Sequence, residues 1–326
     1  MLILNSKDVV QSLPMRDAID GMRAAFVSLA SGIVEMPERM HVDVDRHEGE
    51  MLVMPAFVAG DSDALAVKVV GVFPRNLERN LPSVMGAVCV FDPTSCQPIA
   101  MLDGASLTGI RTAAVSAVAT EVMANPDARS LALLGTGVQA RTHWEAVCHV
   151  RNIEKVLIFG RSKSKAESLK QDLLDRTDFA HEIEICESAD EAVSKADIVC
   201  TVTSAATPLF SPAAVQPGTH FNVVGSHSVD RREVPSAAVG AAIVAVDQTN
   251  VAVKSGDLAI PIEDGILDPK SIRELGELLV GNAVGRTASA DVTLFKSVGL
   301  AMEDAVAASL CVKNAAEKGI GQSADW

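Results

Sequence analysis

Tyrosine is absent from the 326 residues, aromatic side chains make up only 3% of them, and basic residues are outnumbered by acidic ones, 28 against 42. These deficits argue against a surface that stacks bases or tracks phosphates. At a net charge of −14 the chain as a whole repels nucleic acid and anionic membranes. Any anionic ligand must be held by a few local cations. The six cysteines, Cys89, Cys96, Cys148, Cys186, Cys200 and Cys311, include no C-x-x-C spacing and mostly sit in apolar runs. They read as reduced core residues and not as a disulfide frame or metal site. No apolar run reaches the roughly 20 residues a spanning helix needs. Residues 1–8 lack the basic and apolar segments of a signal peptide, so a cytoplasmic protein is expected. What remains is an ordinary globular composition, 48% hydrophobic and 21% charged, long enough for two domains.

The strongest local pattern lies between residues 129 and 162. Leu131 to Leu134 is an apolar run of strand length, followed at once by Gly135-Thr136-Gly137-Val138-Gln139-Ala140, a G-x-G-x-x-A sequence that opens a helical pattern. Gly135 permits the tight strand-to-helix turn, Gly137 lets the backbone approach a pyrophosphate, and Ala140 lets helix and strand pack closely. The free N–H groups of the helix start favour the phosphates. A second run, Val156 to Phe159, arrives where a dinucleotide-binding fold places its second strand. Residues 182–186, 197–204, 220–225 and 241–247 supply four more strands, and Ser188-Ala189-Asp190-Glu191 opens a helix between them as a capping box. Residues 121–300 are therefore predicted to form a doubly wound parallel Rossmann sheet of the α/β class.

Residues 1–120 do not alternate strand and helix in this way. Ser12-Leu13-Pro14-Met15-Arg16-Asp17 predicts a helix start, with Ile19, Met22, Ala25, Phe26 and Leu29 at helical spacing and Gly32 at its end. Residues 51–54, 64–72 and 84–91 read as strands of an antiparallel or mixed sheet, making this an α+β domain. From Lys296 onward an Ala-rich helix is expected to return to it over residues 301–326.

Three cations stand out in the first domain. Arg39 follows Pro37-Glu38, Lys68 interrupts an apolar strand, and Arg111 precedes an Ala-rich segment read as a helix over residues 112–123. Lys68 is either exposed on an open sheet face or desolvated, in which case its pKa falls toward an acid/base range. Arg111 at a helix start opposes the macrodipole. Either a bound carboxylate reconciles the two, or Arg111 is paired with a protein acid such as Asp103. After the second dinucleotide-domain strand, Gly160-Arg161-Ser162 stands where NAD-selective folds carry an acid. Arg161 and Ser162 suit a 2′-phosphate, which favours NADPH, with NADH the alternative.

In combination, Pro37-x-Arg39, Lys68-Val69-Val70, residues 102–114, residues 134–140 and Ser297-x-Gly299-x-Ala301-x-x-Asp304 make the chain similar to the ornithine cyclodeaminase/mu-crystallin family over its whole length. The resemblance implies a homodimer whose first domain binds an amino or imino acid and mediates dimerisation. It implies that Arg39, Lys68 and Arg111, with Ser83, hold the substrate carboxylate. It further implies that Thr112, residues 135–140, Gly160, Arg161, Ser162, Thr201, Val202, Thr203, Val224, Gly225, Ser226, Ser297 and Gly299 line the cofactor.

The family's cyclodeaminases carry an Asp after the fifth strand, where this chain aligns His227 in Gly225-Ser226-His227-Ser228. That departure and Arg161 both point to the family's ketimine reductases. The expected reaction is reduction of a cyclic α-imino acid, such as a pyrroline- or piperideine-2-carboxylate, to the L-amino acid, with Lys68 or His227 donating a proton to the imine nitrogen. The competing expectations are an acyclic imine reductase or amino-acid dehydrogenase, an ornithine cyclodeaminase, and a binding protein without turnover. No metal is expected: His41 and His47 lie among acids in a polar loop without ligand geometry.

Overall fold

The computed structural model describes every residue except 61, 62, 80, 177–181, 227 and 326, and the side chain of residue 77. It divides into two units, Met1–Ala114 with Gly299–Trp326, and Val115–Val298. In the first, β1 (Leu2–Leu4), α1 (Ser6–Ser12) and α2 (Met15–Ala30) precede β2 (Val34–Glu35), β3 (Met40–Val44), β4 (Gly49–Val58), β5 (Ala64–Val72), β6 (Val84–Phe91) and β7 (Pro98–Asp103). The apolar positions of α2 are buried as their spacing requires. Gly32 follows the helix at φ 72°, a left-handed conformation that only glycine adopts freely.

A long helix, α3 (Gly104–Met123), leads into the second unit. There the chain forms β8 (Ser130–Leu134), α4 (Val138–Val150), β9 (Lys155–Phe159), α5 (Lys163–Leu174), β10 (Glu182–Ile185), α6 (Ala189–Ser194), β11 (Ile198–Thr201) and β12 (His220–Val223). It continues as α7 (Ser236–Ala241), β13 (Ala242–Val246), α8 (Thr249–Ala252), α9 (Gly256–Glu263), β14 (Arg273–Glu274), α10 (Leu275–Leu279) and β15 (Val292–Lys296). Back in the first unit come α11 (Ala301–Lys318) and β16 (Gln322–Ser323).

The first unit's sheet runs β16-β1-β7-β6-β5-β4-β2, with β3 paired to β4 and the β4 to β7 meander antiparallel. Its side chains alternate. On β5, Ala64, Ala66, Lys68 and Val70 are buried, and α11 packs over β4, β5 and α2. The other face leaves Ile3, Met40, Val42, Val69, Met85 and Met101 exposed.

The second unit's sheet is parallel throughout, in the order β10-β9-β8-β11-β12-β15-β13-β14. Both faces are covered: Leu131 and Leu133 join a cluster with Trp144 and Leu169, while Ala132 and Leu134 join one with Val193 and Phe221. This is the doubly wound sheet expected, with two corrections. The sixth strand, Ala242–Val246, does not pair with the fifth, because the unforeseen β15 inserts between them. The Ser188 capping box is half made: Ser188 accepts the Glu191 N–H, but the Glu191 carboxylate returns to the N–H of Glu187. Among the described residues no helix is long and apolar enough to cross a membrane.

Two histidines of this unit are completely buried. His143 meets the Gln139 carbonyl through Nδ1 and the Ser116 hydroxyl through Nε2. His220 meets Thr293 through Nδ1, and the Thr293 hydroxyl in turn donates to the Met123 carbonyl. Each Nδ1 therefore carries the ring's proton and each ring is neutral. Burial lowers the pKa of His143 to about 4 and that of His220 to about 3, Arg286 adding to the second effect. The unfolded chain, near the usual pKa of about 6.5, then binds protons that the folded chain refuses, so stability is full above that value and declines as pH falls below it. Each histidine should cost about 1.4 kcal/mol per pH unit across that window. Urea unfolding at a series of pH values should show this slope, and His143→Gln should remove one histidine's share; an unchanged slope would mean that His143 is protonated in the folded state.

Candidate functional site

Lys68 lies mid-strand on the buried face of β5, only 3% exposed, so the open-face alternative does not hold. Its Nζ stands 2.6 Å from Oδ2 of Asp304 in the first turn of α11. Oδ1 of the same carboxylate accepts Nε–H of Arg111 at 3.0 Å, and Arg111 Nη1 donates to Glu303 Oε2 at 2.5 Å. All four charged groups are buried. Arg39, half-buried, donates from Nη2 to the Gly299 carbonyl at 2.7 Å. Gly299 is at φ 78°, and a Cβ there would lie 2.8 Å from Arg111 Nη1. Only glycine lets the chain turn into α11 beside that guanidinium.

Burial lowers the Lys68 pKa to about 8; Arg111 adds to this, whereas Asp304 and Glu303 oppose it. A lysine so placed gains and loses a proton near neutral pH. For Arg111, burial opposes its charge, but Asp304 and Glu303 outweigh burial and the pKa is raised. The structure corrects the sequence reading here. Arg111 sits in the middle of α3 and not at a helix start, so the macrodipole argument falls. Its partners are Glu303 and Asp304; Asp103 instead accepts the Ser106 N–H at the head of α3. Glu303 and Asp304 were not among the predicted site residues. Their signal was two adjacent acids in an otherwise Ala-rich helix.

Thr112 is buried beside Arg111. Ser83, just before β6, is half-buried and gives its carbonyl to the Phe73 N–H. His227 lies outside the described residues.

In the second unit a cleft of about 740 Å³ is lined by Gly135, Thr136, Gly137, Gly160, Arg161, Ser162, Lys165 and residues 202–209. Gly135 has φ 130° and its Cβ would meet the Val202 carbonyl at 2.8 Å, so the strand-to-helix turn requires glycine. Gly137, the N-cap of α4, faces open space and gives that helix no side-chain cap. By contrast α5 and α6 are capped by Ser162 and Ser188. An uncapped helix start opening on a cleft fits a dinucleotide pyrophosphate, which would take the α4 N–H groups. Ala140 is buried where helix and strand pack, and Val138 and Gln139 continue the first turn. Arg161 is exposed on the rim, and no carboxylate occurs among the described lining residues.

Thr201, Val202 and Thr203 end and follow β11, and Val224, Gly225 and Ser226 follow β12. Ser297 is buried after β15. Gly299, expected with the cofactor residues, belongs to the first unit and its carbonyl is taken by Arg39. Among the described residues, His41 pairs with Glu50, and the group close enough to hold an ion is Glu184, Cys186 and Glu191. Lys155 and Lys195 already neutralise it.

Residues 1–319 match the model of the ornithine cyclodeaminase/mu-crystallin family. A Bacillus cereus protein named Delta(1)-pyrroline-2-carboxylate reductase is 35% identical over the whole of both chains. The mouse ketimine reductase mu-crystallin is 34% identical over 90% of this chain and 89% of its own. The structure of Thermococcus litoralis Delta(1)-pyrroline-2-carboxylate reductase in complex with NADH and L-proline superposes with a TM-score of 0.95, at 38% identity, covering 99% of this chain and 100% of that one.

The carboxylate of Asp304 opposes the lowering of the Lys68 pKa, so Asp304→Asn should move Lys68 further below about 8. Titration of lysine labelled with ¹³C at Cε, followed by NMR, reads this directly; a midpoint that stays or rises would show that Asp304 does not control the Lys68 proton.

Proposed function

Because this chain belongs to the ornithine cyclodeaminase/mu-crystallin family, we propose that it reduces a cyclic α-imino acid of the pyrroline- or piperideine-2-carboxylate type to the L-amino acid. The observation that carries this reading is the buried cluster of cationic side chains around Lys68. Glu303 and Asp304 hold Lys68 and Arg111, and Arg39 bonds the Gly299 carbonyl at the entry to the same helix, which gathers three cationic side chains where a substrate carboxylate can be taken up. Arginine donors suit that carboxylate, and fixing it orients the adjacent C=N bond.

Reduction adds a hydride and a proton across C=N. The nicotinamide, when bound, supplies the hydride to the imine carbon. Lys68, with its pKa near 8, carries a proton at neutral pH and gives it up readily, as a general acid toward the imine nitrogen must. Asp304 takes the Lys68 ammonium on one oxygen and Arg111 on the other, which holds donor and carboxylate clamp in a fixed relation. His227 is the second candidate donor.

Arg161, Ser162 and Lys165 on the cleft rim, with no acid among its described lining, support NADPH over NADH. The Thermococcus complex with NADH keeps NADH as the competing cofactor. The exposed apolar sheet face, with Ile3, Met101, Val69, Met40, Met85 and Val42 in neighbouring registers, supports a homodimer closed over that face.

Three measurements test these readings. Turnover of NADPH should be faster with pyrroline-2-carboxylate than with pyruvate plus ammonia, and Lys68→Met should lose on the order of 100-fold or more in kcat. Faster turnover with pyruvate and ammonia, or proline formed from ornithine without net redox change, would overturn the reaction. Arg161→Ala should raise the KM for NADPH about 10- to 100-fold, the worth of one charged hydrogen bond, and leave that for NADH unchanged. Equal effects on both would remove the phosphate preference. Met85→Lys with Met101→Lys should convert a dimer to monomers in sedimentation; an unaltered dimer would place the interface elsewhere.

A further inference from the structure

Lys296 ends β15, is completely buried, and has no part in the chemistry above. Its ammonium donates to Asp257 Oδ2 at 2.9 Å and to the Ser226 carbonyl at 2.5 Å. The other oxygen of Asp257 accepts the N–H groups of Glu233 and Val234, at 2.7 and 3.1 Å. The Glu233 carboxylate, also completely buried, accepts the N–H groups of Gly225 and Thr203 and the hydroxyls of Thr201 and Thr203. One amine and two carboxylates thereby bind together the carbonyl ends of β11, β12 and β15.

In an open parallel sheet a dinucleotide lies outside those ends, across the point where strand order reverses. The α4 start and Arg161 serve the pyrophosphate and adenosine side, which leaves the β11 and β12 ends for the nicotinamide side. These two ends touch, since a Cβ on Gly225 would lie 2.1 Å from the Thr203 carbonyl, and the loop after β12 is backed by α9, where a Cβ on Gly256 would lie 2.3 Å from the Arg231 carbonyl. A shift in one loop is therefore passed to the other. A buried lysine paired with Asp257, next to a second buried carboxylate, is a costly way to fill space, since apolar side chains of the same volume stabilise as well or better. Its placement under a ligand-facing loop gives it a use that apolar packing lacks.

We propose that Lys296 is a positioning residue. Through its bond to the Ser226 carbonyl, and through Asp257 and Glu233, it sets the Gly225–Ser226 and Thr203 backbone on which the nicotinamide half of the cofactor lies. The inference rests on the dinucleotide-binding reading above.

Lys296→Met removes the charge at similar volume, and Asp257→Asn is a milder change should the first variant not fold. In the cofactor-free protein, hydrogen exchange should quicken at the Thr203 and Gly225 amides while the amides of β8 and β9 keep their protection. In parallel, fluorescence titration should show NADPH bound on the order of tenfold more weakly, and kcat should fall on the order of 100-fold with the imino-acid KM unchanged. Propylamine should restore kcat to Lys296→Ala by occupying the place of the lost amine. Faster exchange spread equally over all strands would make Lys296 a structural residue only, and cofactor affinity and kcat equal to the parent's would overturn the inference alone. A parent protein that binds neither NADPH nor NADH would overturn the dinucleotide reading and this inference together.

Discussion

The pairing of Lys68 and Arg111 with Glu303 and Asp304 is the constraint on which the first unit depends. Two cations on β5 and α3 are withdrawn from water, and each would cost several kcal/mol if left uncompensated. Their compensation among the described contacts comes from Glu303 and Asp304, 192 positions or more further along the chain. The chain's end must therefore come back as α11. Gly299 makes the entry to that helix possible, and small side chains let it pack closely: a Cβ on Gly21 of α2 would lie 2.4 Å from Leu310. Stability and the proposed chemistry reside in the same four side chains. The acids that make it tolerable to bury the cations also set how readily Lys68 gives up its proton.

The second unit solves a different problem with related means. Its sheet is buried on both faces, so side chains can meet a ligand only at the strand ends. At the β8 end, glycine backbone and an uncapped helix start leave N–H groups facing a cleft. At the β11 and β12 ends, backbone N–H groups are instead consumed by Glu233. One end is left open to an anion while the other is held rigid by a buried carboxylate, whose pKa is raised by its burial. Both arrangements follow from the rule that buried polar groups need partners.

Much of this was legible because it is local. The glycine loop declares itself within six residues, since turn, close approach and packing act on consecutive positions. The strands around Lys68 were visible as Val-rich runs, and the strand Val84–Phe91 lies where its pattern placed it. Other features misled. The helix expected over residues 112–123 begins earlier, at Gly104; burial of the surrounding Ala and Val side chains overrides the weak helix propensity of Gly104 and Gly109. Strand β15 was not foreseen, and only its last residue, Lys296, fell within the expected C-terminal helix, since five residues between polar segments carry little periodicity.

The amino-acid sequence by itself determined the two kinds of unit, the place of the glycine loop, and the three cations that an acidic chain sets apart. These are consequences of period, turn chemistry and composition, which act along the chain. Tertiary structure alone decided which acids meet those cations, that Lys68 is buried and not exposed, and that β15 stands between the fifth and sixth strands. Each of these is a contact between segments far apart in sequence. Such contacts are chosen by the desolvation cost of the charges and the burial of whole faces, which no local pattern records.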